Sequence, residues 1–366
     1  MTAGVIIFFM QSGFALLESG NVRFKNYQNI LLKNCMDACI GAMVWWICGF
    51  AFAFGLQNDN KFIGTQYFFA SKLGDDDAAL GYGFWFFQYA FACTAATIVS
   101  GSLAERVNIP NYLLFSAFMT GFIYPVIVAW TWGGGFLTGW GFSDFAGSGV
   151  VHLTGGISGL AGAIICGPRL GKFEDYPGVS VSVGVNQVSG TDASPGKSAV
   201  DGYAMVHQQF KAGKWDILRV HEFVQNYVRH LEQKSIQAHS PQQAVLGTLI
   251  LWLGWLFFNA GSSAAIAGGA NKDAERAIIN TILAPAASGL LTFVTRKHIT
   301  GEKKDIRLDF QALTNGILAG LVAITAGCAS VEPWAAVIMG LIGSLTYSLA
   351  CLAMNKAQID DPLEAF

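Results

Sequence analysis

The chain has 366 residues, of which 53% are hydrophobic and only 13% charged, and its formal net charge is −2. A water-exposed domain carries about 25% charged residues, so this composition excludes an ordinary soluble surface over most of the chain and points to lipid as the solvent. The near-neutral balance also removes the electrostatic footprint of a nucleic-acid binder.

Taken in chain order, nine apolar segments stand out at roughly 2–19, 33–56, 82–103, 111–131, 146–168, 243–262, 277–295, 312–328 and 333–354. They predict an all-α fold, a polytopic transmembrane helix bundle. The first segment opens without a basic region and without a small-residue cleavage site, so it does not read as a removable signal peptide. Its apolar core, Gly4 to Leu17, is shorter than the ~20 residues a span needs, which predicts that the chain begins upstream of Met1. The stretch at 174–240 reads as a cytoplasmic loop insertion. A Gly/Ser/Val-rich loop (Val179 to Gly196) leads there into a helical stripe of Ile217, Val220, Val224, Tyr227 and Leu231, flanked by Leu218 and Val228. That amphipathic helix either packs on the ends of the bundle or meets a membrane surface or partner.

Charge placement predicts orientation. When connections alternate between two sides, one side collects 18 of the 22 Lys and Arg residues, and the other holds Lys61, Lys72, Lys272 and Arg276. Leaving out the long loop, the ratio is still 10 to 4. The basic side is cytoplasmic by the positive-inside rule, with the N-terminus outside and the visible C-terminus inside. The seven cysteines lie in apolar runs with no metal-ligand spacing and read as reduced small hydrophobes; Cys35 and Cys39 are helical neighbours rather than a disulfide.

Ionisable residues inside spans are costly and mark function or pairing. Asp144 lies just before the fifth segment and His152 two turns further on. Asp37 sits early in the second, Glu18 closes the first, and Glu105 and Arg106 close the third. Asp144 reads equally as a helix cap and as part of a site. His152 reads as lining a polar path, and Gly155, Gly156 and Gly159 behind it permit close helix packing. Phe91, Trp130, Trp132, Trp252, Trp255, Phe257 and Phe258 fit an aromatic belt, or alternatively a path for a small cation over ring faces.

The sequence resembles the Amt/Mep/Rh ammonium transporters, and the Amt branch in particular. The resemblance rests on the run from Met10 to Gly20, Val22-Arg23 with Lys25-Asn26, and the runs Gly101 to Arg106 and Asp144 to His152. It continues in Gly167-Pro168-Arg169, Leu246-Gly247-Thr248, Phe258 to Ser262, Ile324 to Cys328 and Glu332-Pro333-Trp334. Together these cover the chain outside the 174–240 loop. The resemblance implies an ammonium recruitment site at Trp132, Ser262 and Phe91, a gate of stacked rings at Phe91 and Phe258, pore-lining His152 and Trp255, and Asp144 as a supporting acid. It also implies ammonium or ammonia as substrate with methylammonium as an analogue, no cofactor or metal, and a homotrimer in the plasma membrane. The family fold has eleven spans in two inverted halves of five. The chain stops after Asp360-Asp361-Pro362, where that fold continues into a tenth span with a second pore histidine. An incomplete chain with nine of eleven spans is therefore expected. An ammonium sensor on the same scaffold is the competing expectation. A membrane enzyme is disfavoured, because the spans carry no paired His ligands, nucleophile elbow or phosphate loop.

Overall fold

The computed structural model describes residues 1–57, 60–74, 80–169, 238–263, 272–300 and 309–366, with positions 172, 173, 211, 218, 221 and 236. Nine long helices, each over one of the nine apolar segments, make up its main body: α1 Thr2–Asn21, α2 Phe24–Phe54, α3 Tyr82–Ser102, α4 Ile109–Trp130, α5 Ser148–Cys166, α6 Pro241–Gly261, α7 Lys272–Thr300, α8 Phe310–Thr325 and α9 Pro333–Lys356. No strand occurs among the described residues. Seven of the nine are long and apolar enough to cross a membrane. The exceptions are α3, whose inward face carries Gln88, Thr94, Thr97 and Ser100, and the 16-residue α8.

The first helix is longer than its apolar run suggested. It covers 20 residues, about 30 Å at 1.5 Å per residue. It continues through Glu18, Ser19 and Gly20 because Glu18 finds partners inside the bundle, accepting from Ser100 Oγ at 2.7 Å and Asn34 Nδ2 at 3.2 Å. The expectation of a short first span is corrected on that ground.

Helix starts follow local chemistry. Asn108 and Asp309 accept from backbone N–H groups three residues ahead, at 3.1 and 3.0 Å, and Ser240 caps α6 ahead of Pro241. Two prolines inside helices leave carbonyls that neighbouring helices use. Pro285 cannot donate to Thr281 O, which instead accepts from Trp252 Nε1 at 3.0 Å. Pro125 leaves Gly121 O, and Cys48 Sγ reaches it at 3.7 Å across from a π turn at Met119–Ile123.

Between α1 and α6, glycines set the approach. A Cβ on Gly13 would lie 2.9 Å from Leu251 Cγ and 3.1 Å from Gly247 O; one on Gly247 would lie 2.6 Å from Gly13 O. Both backbones touch because neither carries a side chain there. The segment after α9 is tied down by polar contacts. Arg296 pairs with Glu364 at 2.5 Å, Asn315 donates to Glu364 and to Leu363 O, and Tyr347 donates to Glu364. Asp361 accepts from Ser102 Oγ and from the backbone of Ala365 and Phe366.

All seven cysteines are free thiols; Cys35 and Cys39 are exposed on α2. Residues Arg169–Gln237 form a second compact unit. Apart from Leu218 and His221, the amphipathic helix expected at 217–231 lies outside the described residues.

Candidate functional site

The site is a column of rings contributed by α3, α5, α6 and the loop between α4 and α5. Phe91 on α3 and Phe258 on α6 are fully buried, with ring centroids 4.1 Å apart and planes tilted by 32°. Trp132, half-buried just beyond α4, meets Phe91 edge-on at 5.7 Å. On the other side of the Phe pair, His152 lies 5.5 Å from Phe258 and stacks on Trp255 at 4.7 Å with planes within 17°. Trp255 and Phe258 are separated by 5.7 Å on one face of α6.

Two polar contacts hold the rings in place. Trp132 Nε1 donates to Asp144 O at 2.7 Å, and Trp255 Nε1 donates to Thr325 Oγ1 at 2.7 Å. Ser262 follows α6 one turn beyond Phe258, and its hydroxyl donates to Phe258 O at 2.8 Å. This puts Ser262 at the Trp132 end of the column, away from His152. Buried His152 Nε2 has no hydrogen-bond partner among the described residues.

Asp144 is a cap with unusually full occupancy. Its Oδ1 accepts from Gly147 N (2.8 Å) and Ser148 N (3.1 Å), and its Oδ2 from Gly149 N (2.8 Å) and Val150 N (2.9 Å). The first turn of a helix leaves four N–H groups without partners, and one carboxylate takes donors from that whole turn. The helix start complements its charge. The same carboxylate fixes the turn that presents His152, while the backbone carbonyl of Asp144 holds Trp132. The cap reading and the site reading therefore coincide in one residue.

Gly147 was not singled out from the sequence. Its φ of 111° is the left-handed region, and a Cβ there would lie 2.7 Å from Val151 and 3.0 Å from Trp132. Beyond it, Ser148 to Leu153 forms a π turn, so His152 is displaced from regular α register. Thr325, the partner of Trp255, was also missed; an isolated threonine near a helix end carries no signal by itself. Of the residues expected to act together, Phe91, Trp132, Asp144, His152, Trp255 and Phe258 are joined by direct contacts. Ser262 joins through the Phe258 carbonyl. No metal-binding cluster of His, Cys, Asp and Glu occurs among the described residues.

A family model described as Ammonium Transporter Family matches residues 1–187 and 224–366. Ammonium transporter 1 member 3 of Solanum lycopersicum is 36% identical over 98% of this chain and 68% of its own length. Ammonium transporter Amt2 of Archaeoglobus fulgidus is 34% identical over the whole chain and 66% of its own length. Across eight similar curated proteins the chain spans between 60% and 70% of the relative's length. Among solved structures, a Sensor Amt Protein is 32% identical with a TM-score of 0.77, covering 100% of this chain and 76% of that one. Mep2 of Candida albicans is 26% identical with a TM-score of 0.73, covering 100% and 67%.

Proposed function

The chain belongs to the Ammonium Transporter Family, and from that premise we propose that it moves ammonium across a membrane through the ring-lined column described above. The observation that carries this reading is the buried Phe91–Phe258 pair at 4.1 Å, set between half-buried Trp132 and buried His152.

Ammonium and potassium have similar radii, so a site cannot separate them by size alone. Two ring faces in contact leave no width for a hydrated ion. Ammonium can give up its proton and pass as ammonia; potassium has nothing to shed. At the outer end, Trp132 and Phe91 offer faces to a cation, worth about 2 kcal/mol once it is desolvated, and the Ser262 hydroxyl oxygen is an acceptor. Beyond the Phe pair, His152 Nε2, unpaired among the described residues, supplies a hydrogen-bond partner for the neutral species. Asp144 anchors the Trp132 end, its backbone carbonyl accepting from the indole. By the positive-inside rule the side rich in Lys and Arg faces the cytoplasm, with the N-terminus outside; the family resemblance supports a homotrimer in the plasma membrane.

A second reading, an ammonium sensor on the same scaffold, is favoured by the likeness to the Sensor Amt Protein. Uptake of labelled methylammonium into cells that lack their own ammonium uptake separates the two. A transporter accumulates label in proportion to its expression, whereas a pure sensor binds the analogue without net uptake.

A further inference from the structure

The last turn of α8 is held open by a side chain from another helix. In an unbroken helix Ala326 N–H would donate to Val322 O, four residues back. Here the Ser148 hydroxyl stands between them: its Oγ accepts from Ala326 N at 2.7 Å and donates to Val322 O at 2.6 Å. A side chain inserted into the ladder in this way is one of the few causes of a local bend in a helix. A third bond, from Phe145 N to Ala326 O at 3.0 Å, fastens the same turn to the segment that leads into α5. Residues 145–148 thus grip the end of α8 through three hydrogen bonds.

What that grip places is Thr325. Its side chain is fully buried, its hydroxyl donates to Leu321 O at 2.7 Å, and its oxygen accepts from Trp255 Nε1 at 2.7 Å. A hydroxyl has one proton to give; with that proton spent on its own helix, Thr325 meets the indole as an acceptor. Trp255 in turn stacks on His152 at 4.7 Å with planes within 17°, and His152 lies on the π turn Ser148–Leu153 that begins at Ser148 itself. The contacts close a loop. It runs from Ser148 to His152 along the chain, to Trp255 by stacking, to Thr325 by a hydrogen bond, and back to Ser148 through Ala326. Imidazole and indole are placed by opposite arms of one serine.

We propose that Ser148 is a positioning residue for transport: by wedging open the end of α8 it sets the spacing of His152 and Trp255, and that spacing decides how large a substituent on nitrogen passes beyond the Phe pair. This rests on the transporter reading of the ring column. Without the hydroxyl, Ala326 N–H and Val322 O lose their shared partner, and backbone groups inside a membrane bundle are costly to leave unpaired. The ladder then closes on itself, the last turn of α8 tightens, and Thr325 draws Trp255 off the imidazole. The looser stack admits the extra methyl group of methylammonium more readily.

The test uses the full chain in liposomes and reads the ratio of maximal uptake rates for labelled methylammonium and labelled ammonium, which does not depend on how much protein is inserted. In Ser148→Ala, and in Ser148→Cys, whose thiol bonds only weakly, the ratio rises about tenfold, the low end of what a pocket resolves for one methyl-sized group. Thr325→Val, close in shape but without the hydroxyl, gives the same rise, and Thr325→Ser restores the parental ratio. Combining Ser148→Ala with Thr325→Val adds nothing further, because both changes break one loop and such pairs are not additive. If Ser148→Ala fails to fold, Ser148→Cys and Thr325→Val decide the matter. A parental ratio in the Ser148 variants overturns the proposal and leaves the transporter reading standing. So does a double variant whose effect is the product of the two single ones. Parent liposomes that take up neither compound sink the transporter reading itself, and this proposal with it.

Discussion

His152 is a buried imidazole held between an indole and a phenyl ring, with one ring nitrogen that no group among the described residues satisfies. A histidine kept for packing would be expected to spend that nitrogen on a neighbour. His152→Ala is therefore expected to change transport by about tenfold, the equivalent of one hydrogen bond at about 1.4 kcal/mol, while expression and assembly stay at parental level. Loss of folded protein instead would make the ring structural. Sequence reasoning found His152 and Asp144 because ionisable residues in apolar runs are conspicuous. It could not tell that Asp144 occupies four N–H groups at once, since that depends on the left-handed turn at Gly147.

At the scale of elements, α1 and α6 depend on glycine for their approach. Even one methyl group at position 247 would sit 2.6 Å from Gly13 O and 2.9 Å from Leu17 Cα. Gly247→Ala is expected to cost about 3 kcal/mol or more, since backbone cannot yield as a side chain tip can. Thermal unfolding in detergent checks this, and a parental Tm would contradict it. The segment beyond α9 makes a different prediction. Burial works against a charged Glu364, but Arg296, Tyr347 and Asn315 outweigh it and hold its pKa below the ordinary value of 4.5. A depressed carboxylate pKa stabilises the fold fully above pH 4.5 and loses that contribution as pH falls through the lowered value. Glu364→Gln is expected to cost about 3 kcal/mol at neutral pH, with the gap between parent and variant closing in acid. A gap that persists unchanged at low pH would assign the loss to shape rather than charge. Asp361 is raised by burial and further by the Glu364 charge, so its own titration moves lower in the variant. The helices were legible because apolar runs in lipid leave the backbone little alternative to helix. The π turns at Trp45–Gly49, Met119–Ile123 and Ser148–Leu153 were not, since these spans are apolar on nearly every face and a one-residue shift of helical phase leaves no mark on their pattern.

For the whole molecule, the described helices position a column of rings, and the chain belongs to the Ammonium Transporter Family. The proposed passage along the rings of α3, α5 and α6 predicts selection by chemistry rather than by radius. The direct test is to load liposomes containing the full chain and compare ammonium with potassium flux at equal gradients. Ammonium-driven flux with no potassium flux above protein-free liposomes is the result expected. Equal passage of the two ions would mean that the Phe91–Phe258 contact opens to a hydrated path, and the account of a dry column would be wrong.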